Sequence, residues 1–456
     1  MAPHLLSDYE HAAANAAKKI YLVRDNALDK SDAPEGLKCL AQLNGFNGEA
    51  GAVFADGEAA LLGLGDESDP LIAAAAAEKL VEGDYIFAGG QLEKDSADLA
   101  VLGWLLGGYR FDRYKQQKPA VARLIPPETV DADAMRRAAA SVFLVRDLVN
   151  TPAGDMGPAA LEQAARNLAM EMGAQIETIV GEDLLAQNFP MVHAVGRAAS
   201  DAPRLIDMRW GDKDAPKLTL VGKGVTFDSG GLNIKGAGGM ALMKKDMGGS
   251  AHCLGLARMI MDAGLKVRLR VLIPAVENAI SGDAFRPGDI LNSRKGLTVE
   301  IGNTDAEGRL ILADALSYGG EEAPELMISL ATLTGAARVA LGPDLAPYYC
   351  DDDDLCDALE AAATRNFDPV WRMPLWRGYE SMLSSQIADV NHISGGSFAG
   401  SVTAALFLKK FAGEAARWMH FDLYAWRPKA APGRPVGGEA QAIRALFDTL
   451  ADRYRP

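Results

Sequence analysis

Asp305-Ala306-Glu307-Gly308-Arg309 places two carboxylates and a guanidinium within five residues. If the segment is extended, positions two apart project to the same side, so Asp305 and Glu307 would converge on one cation. Upstream, Val221-Gly-Lys223-Gly-Val-Thr-Phe-Asp228-Ser-Gly-Gly231 and Met243-Lys-Lys-Asp246-Met-Gly-Gly249 add two carboxylates and an unusual lysine. Two divalent cations about 4 Å apart bring about four positive charges that oxygen ligands must offset. Asp228, Asp246, Asp305 and Glu307 supply four negative ones, the pattern of a two-metal hydrolytic site. Asp228, ahead of Ser229-Gly230-Gly231, is placed to bridge two ions. Lys223 could join them only as a neutral amine, which at pH 7 costs about 5 kcal/mol and which a metal bond in a dry pocket can offset.

A bridging water between two metals has its pKa lowered towards neutrality, giving a hydroxide nucleophile. Lys235, if protonated, can polarise a carbonyl and stabilise the oxyanion formed on attack. No histidine falls in these motifs, so a carboxylate or a small bound anion must take the proton. The rigid fork of donors on Arg309 suits it to hold such an anion.

Each piece alone is ordinary. An isolated Asp-x-Glu is usually a solvated pair, and Lys244-Lys245-Asp246 or Asp351-Asp-Asp-Asp354 would each pass as a surface charge run. Gly222-Lys223-Gly224 hints at a phosphate loop, but no GxxxxGK[ST] pattern follows. Gly395-Gly-Ser397-Phe-Ala399 lacks the last glycine of a serine-hydrolase elbow, and no H-E-x-x-H occurs. His392 and His420 are expected to pack or hydrogen-bond rather than ligate. It is the combination that argues for chemistry.

The elements that must position these residues alternate. Strands are expected at 20–23, 51–54, 59–64 and 85–88, with helices at 71–80 and 97–107. An amphipathic helix at 131–148 ends before Pro152 and connects two domains. Pro158 opens a helix to residue 172. Strands follow at 204–208, 218–221, 267–273, 298–301 and 326–330, with helices at 250–262, stopped by Gly264, and at 310–317. The class expected is α/β: a smaller N-terminal α/β domain (1–128), a connecting helix (129–152) and a larger catalytic α/β domain (153–456) with a mostly parallel central sheet. Ligands then sit at the carboxyl ends of the strands, where Lys223, Asp228, Asp305 and Glu307 fall.

At 456 residues, two domains are the natural division, and 49% apolar with 7% aromatic residues suits an Ala/Gly/Leu-rich enzyme. The net charge of −15 opposes non-specific binding to nucleic acid or anionic membranes. Cys39, Cys253, Cys350 and Cys356 form no framework, which points to a reducing cytoplasm. The first ten residues lack a basic stretch followed by an apolar one, against a signal peptide, and no apolar run approaches the roughly 20 residues of a membrane span.

On the motifs at 221–231, 243–249, 287–289, 303–310 and 331–335, and on 109–115 and 148–152, the chain resembles the leucyl aminopeptidases, dinuclear-metal cytosolic exopeptidases. The resemblance spans roughly residues 100 to 425. It implies that Lys223, Asp228, Asp246, Asp305 and Glu307 bind two zinc or manganese ions, with Asp228 and Glu307 touching both and Asp305 adding its carbonyl. Lys235 and Arg309 would be catalytic, Arg309 holding a bicarbonate that shuttles the proton. Met243, Asn303, Thr332 and Gly335 would line the pocket of a cytoplasmic homohexamer. Peptides with a free N-terminus would be the substrates, cut by metal-bound hydroxide. The alternative is a DNA-binding or structural hexamer of the same fold. Arg338 stands where the family is usually apolar; it is expected at the surface or an interface, whereas facing the pocket it would favour an acidic or polar side chain. Leu423-Tyr-Ala-Trp-Arg-Pro428 and 433–439 depart from the family's Gly-rich ending, which bears on side-chain specificity.

Overall fold

The computed structural model describes residues 5–7, 16–88 and 92–455; most of the first ten residues, from which a signal peptide was argued against, lie outside them. The chain divides into two compact units, one of residues 1–143, 365–367 and 427–436, the other of 144–364, 368–426 and 437–456.

The first unit contains β1 (Lys18–Arg24), α1 (Glu35–Leu43), β2 (Val53–Ala55), β3 (Ala59–Gly65), α2 (Ala74–Lys79), β4 (Gly83–Ala88), α3 (Lys94–Gly107) and β5 (Ala122–Leu124). Its sheet runs β2-β3-β1-β4-β5, all neighbours parallel except β2 with β3. Ile20, Leu61, Leu62, Tyr85 and Trp104 are buried in it. The strand expected from residue 51 begins only at Val53, because Gly51 takes φ +73°, outside the strand region. Residues 71–73 likewise form turns before the short α2.

Helix α4 (Ala132–Asn150) runs in sequence from the first unit into the second, stopping before Pro152. Then come α5 (Pro158–Met172), β6 (Gln175–Val180), α6 (Pro190–Gly196), β7 (Arg204–Trp210), β8 (Lys217–Gly222), β9 (Gly224–Asp228), α7 (Gly248–Asp262) and β10 (Arg268–Asn278). The chain continues through β11 (Ile290–Asn292), β12 (Thr298–Glu300), α8 (Gly308–Gly320), β13 (Leu326–Ala331), α9 (Gly335–Leu341), β14 (Ala346–Cys350) and α10 (Asp353–Arg365). Last are β15 (Val370–Arg372), β16 (Val390–Asn391), α11 (Gly400–Lys409), β17 (Trp418–Asp422) and α12 (Ile443–Arg453). Asp352 does more than extend an acidic run: its Oδ1 accepts the Leu355 N–H at 3.0 Å at the start of α10, and its other oxygen pairs with Arg417.

The large sheet has the order β15-β14-β17-β13-β8-β10-β7-β6, with β9 also on β10. Its centre, β17-β13-β8-β10, is parallel; β14 and β7 run antiparallel to their central neighbours. All six residues of β13 are buried, as are Leu218, Leu220 and Val221 of β8, the unbroken apolar runs of strands covered on both faces. Four parallel strands therefore deliver Lys223, Asn278, Thr332 and Asp422 to one edge. Among the described residues no helix is long and apolar enough to cross a membrane.

Candidate metal centre

Lys223 leaves the end of β8 with its backbone fixed on both sides: its N–H donates to Leu330 O and its carbonyl accepts from Ser250 N. Its Nζ lies 2.7 Å from Asp246 Oδ2 and 2.9 Å from Glu307 Oε1, and donates to Thr332 O at 2.9 Å. A Cβ on Gly308 would come within 2.5 Å of the Lys223 side chain, so the start of α8 has room for the lysine only because that residue is glycine.

Asp228 closes β9. Its Oδ1 accepts from Gly230 N and from Asn278 Nδ2, each at 2.8 Å, and its Oδ2 lies 2.9 Å from Lys235 Nζ. Lys235 Nζ also stands 2.5 Å from Asp305 Oδ1. Gly230 carries φ +88°, and a Cβ there would strike Asn233 O at 2.4 Å.

Asp305 and Glu307 do converge, but not through an extended strand. Asn303 turns the chain, its side-chain oxygen accepting the Asp305 N–H at 2.9 Å, and residues Thr304–Ala306 form a 3-10 turn that leads into α8. An asparagine bonding its own backbone two residues on outcompetes the extended form. One oxygen each from Asp228, Asp305 and Glu307 lies within 4.8 Å of the others, a group that could hold a metal ion. Asp246 joins through Lys223 and through Thr332, whose hydroxyl is 2.8 Å from its Oδ1.

The charges are unevenly matched. Burial and the neighbouring Asp228 push Glu307 well above the usual carboxylate range, and burial likewise raises Asp305. Burial works against the Lys223 ammonium, but Asp246, Glu307 and Asp228 outweigh it and hold the lysine above its ordinary value. Lys235 is held protonated in the same way by Asp228 and Asp305. Glu307 Oε2 is buried without a hydrogen-bond partner. Carboxylates outnumber the cations that touch them, which is the electrostatic condition for drawing in divalent ions.

Arg309 is buried, which lowers it to about 10, and it stays cationic at neutral pH. One arm donates to His392 O at 2.7 Å while its Nε has no partner. His392 and His420 act through hydrogen bonds: His392 Nε2 meets Asn303 O at 2.9 Å, and His420 Nδ1 meets Ser329 Oγ at 2.9 Å.

A cavity of about 400 Å³ opens over this cluster, lined by Lys223, Asp228, Lys235, Asp246, Asp305 and Arg309 and by the expected pocket residues Met243, Thr332 and Gly335. Asn303 is not in its wall; it holds the turn beneath. Arg338 does line the cavity, against the expectation of a surface position, because its guanidinium lies over Tyr424, 4.6 Å from the ring centroid. Lys245 lines it too and is buried, although the pattern Lys-Lys-Asp reads as solvated charge. Two supporting residues went unread in the sequence. Asn278 holds Asp228, and Asp422 accepts from Leu333 N at 3.0 Å and Thr334 N at 2.9 Å, pinning the loop that carries Thr332. Their only signal was a position at the carboxyl end of a strand.

Buried carboxylates, two lysines and an arginine around a cavity at the carboxyl ends of parallel strands define an α/β enzyme with a site suited to divalent cations. Comparison narrows the class. Residues 143–447 match the model of the cytosol aminopeptidase family, catalytic domain, and residues 26–127 that of the M17 aminopeptidase, N-terminal domain. A probable cytosol aminopeptidase of Roseiflexus castenholzii is 39% identical over 425 residues, 86% of each chain. The crystal structure of cytosol aminopeptidase from Coxiella burnetii superposes with a TM-score of 0.92 at 43% identity, covering 99% of this chain and all of that one. Bottromycin maturation enzyme BotP in complex with Mn gives 0.85 at 31%, covering 97% and 100%. The chain belongs to the cytosol aminopeptidase family and is a peptidase of that type.

Proposed function

We propose that the chain releases amino acids from the free N-terminus of peptides using two divalent ions, manganese or zinc, held by Asp228, Asp246, Asp305 and Glu307, and by Lys223 once the ions take over these carboxylates and displace its proton. The observation that carries this is the convergence of Asp228, Asp305 and Glu307 within 4.8 Å, with an oxygen of Glu307 buried and unpartnered. Bound ions would lower the pKa of water towards neutrality and polarise the scissile carbonyl.

The protein's own groups supply the rest. Gly230 and Asn278 fix one oxygen of Asp228 so that the other faces the cluster. Lys235, kept protonated by Asp228 and Asp305, stabilises negative charge developing on the carbonyl oxygen. The free Nε of Arg309 holds a small anion, bicarbonate, that accepts the proton. Met243, Thr332 and Gly335 line the substrate, and Asn303 supports the turn bearing Asp305. Residues 1–128 and the connector 129–152 lie outside this chemistry, which belongs to 153–456. The assembly is a homohexamer in the cytoplasm, its net charge of −15 disfavouring nucleic acid.

The test is amino-acid release from X-amide and X-peptide substrates by apo-protein refilled with Mn²⁺ or Zn²⁺. Metal-restored cleavage that vanishes when the substrate N-terminus is acetylated supports the reading. Two bound ions per chain without cleavage would instead favour a DNA-binding or structural role.

A further inference from the structure

The cavity has a second charged feature that the hydrolytic machinery does not use. Arg338 on α9 and Lys245, beside Asp246, both line it. They share one ring: the Arg338 guanidinium is 4.6 Å and the Lys245 ammonium 5.1 Å from the Tyr424 ring centroid. Lys244, next in sequence, is engaged elsewhere, donating to Asn150 O at 2.6 Å. Neither Arg338 nor Lys245 has a hydrogen-bond acceptor or an ion-paired carboxylate among the described residues, although Lys245 is only 4% exposed. Lys245 feels the charge of neighbouring Asp246, which it does not touch, and the repulsion of Arg338, so two like charges stand in one cavity wall with no hydrogen-bonded anion between them.

Such an arrangement is unfavourable unless something anionic enters, and a carboxylate in reach of both would form charge-assisted hydrogen bonds. The wall as a whole points the same way: Asp228, Asp246 and Asp305 face it as acids, against Lys223, Lys235, Lys245, Arg309 and Arg338 as cations. Divalent ions on the acids would leave it more positive still. An apolar side chain entering here would instead strip water from the two cations and return nothing.

Taking the aminopeptidase reading above as given, we propose that Arg338 and Lys245 set specificity, selecting peptides whose first residue carries a side-chain carboxylate. The first residue is the one addressed because both cations share the wall with Met243, Thr332 and Gly335 and with Asp228, Asp246 and Asp305, the carboxylates that would hold the ion to which the free α-amine binds. A residue beyond the scissile bond extends away from that anchor.

The experiment compares kcat/KM of the metal-loaded, full-length protein on Glu-, Gln-, Leu- and Lys-p-nitroanilide and on the dipeptides Glu-Leu and Leu-Glu. Glu is expected to exceed its neutral isostere Gln by roughly tenfold to a hundredfold, the range of one charge-assisted pair. Glu-Leu should be cut in preference to Leu-Glu. Arg338→Gln should pull the Glu-to-Gln ratio towards one, and Arg338→Glu should turn the preference towards Lys. A Glu-to-Gln ratio near one in the unaltered protein, with Leu still released, overturns the specificity while leaving the peptidase reading intact, and needs no variant to fold. Preference for Leu-Glu, or a ratio indifferent to Arg338→Glu, overturns it as well. No release from any substrate overturns both.

Discussion

Both units are α/β with parallel strands at the centre, yet they treat charge in opposite ways. At the end of β1, Arg24 pairs with Glu67, their side chains 71% and 43% exposed. At the end of β8, Lys223 pairs with Asp246, 3% and 4% exposed, with Glu307 and Asp228 packed alongside. The first is a solvated pair whose loss water repairs. The second concentrates charge where water cannot reach it, so its members can be balanced only by each other or by a ligand. The fold is common to both; the chemistry belongs to the polar residues one unit puts at its strand ends.

That contrast can be tested in order of expected effect. Glu307→Gln should abolish metal retention and peptide cleavage together, losing more than the roughly hundredfold that follows loss of a ligand's outer partner; metal analysis alongside kinetics checks it. Lys235→Ala should keep the metals and lower kcat by about 10²–10³, the scale of one lost oxyanion donor. Equal metal loss in both variants would dissolve the division of roles.

The next prediction concerns stability. His252 is buried on α7, its Nδ1 donating to Gly248 O at 2.6 Å and its Nε2 accepting from Gln441 N at 2.9 Å, a pair of bonds only the neutral ring can make. Burial depresses it from 6.5 to about 4. A histidine depressed on folding contributes stability that is complete above pH 6.5 and drains as pH falls to about 4, on the order of 3 kcal/mol in all. Denaturant midpoints across that range should show the loss, and His252→Gln should flatten it. Smallest of all, Arg24→Ala should leave both the unfolding midpoint and peptide cleavage unmoved, since its pair is solvated and belongs to the unit that carries none of the proposed chemistry.

How much could be read beforehand follows the same divide. That Lys223, Asp228, Asp246, Asp305 and Glu307 would gather in one place was legible from residue type and motif, Lys223 and Asp228 also from their strand-end positions, and the central sheet's parallel character followed from strands alternating with helices. The route by which Asp305 and Glu307 meet was not legible, because the Asn303 side chain, rather than the spacing of two, decides the local turn. Arg338 was misplaced for a related reason: a cation on a short helix reads as solvated until Tyr424, 86 residues away in the chain, is seen beneath it. Asn278 and Asp422 are single polar residues ending apolar strands, and nothing local marks them as supports. Strands β6 and β14 carry no chemical motif and escaped notice, β14 also because all five of its residues are buried and show no alternation.

The most direct measurement titrates Mn²⁺ or Zn²⁺ into chelator-stripped protein while following bound metal and release of an N-terminal amino acid in the same sample. The account predicts that cleavage rises with occupancy and reaches its plateau at two ions per chain. Full cleavage by the stripped protein, or a plateau reached with no ion bound, would contradict it.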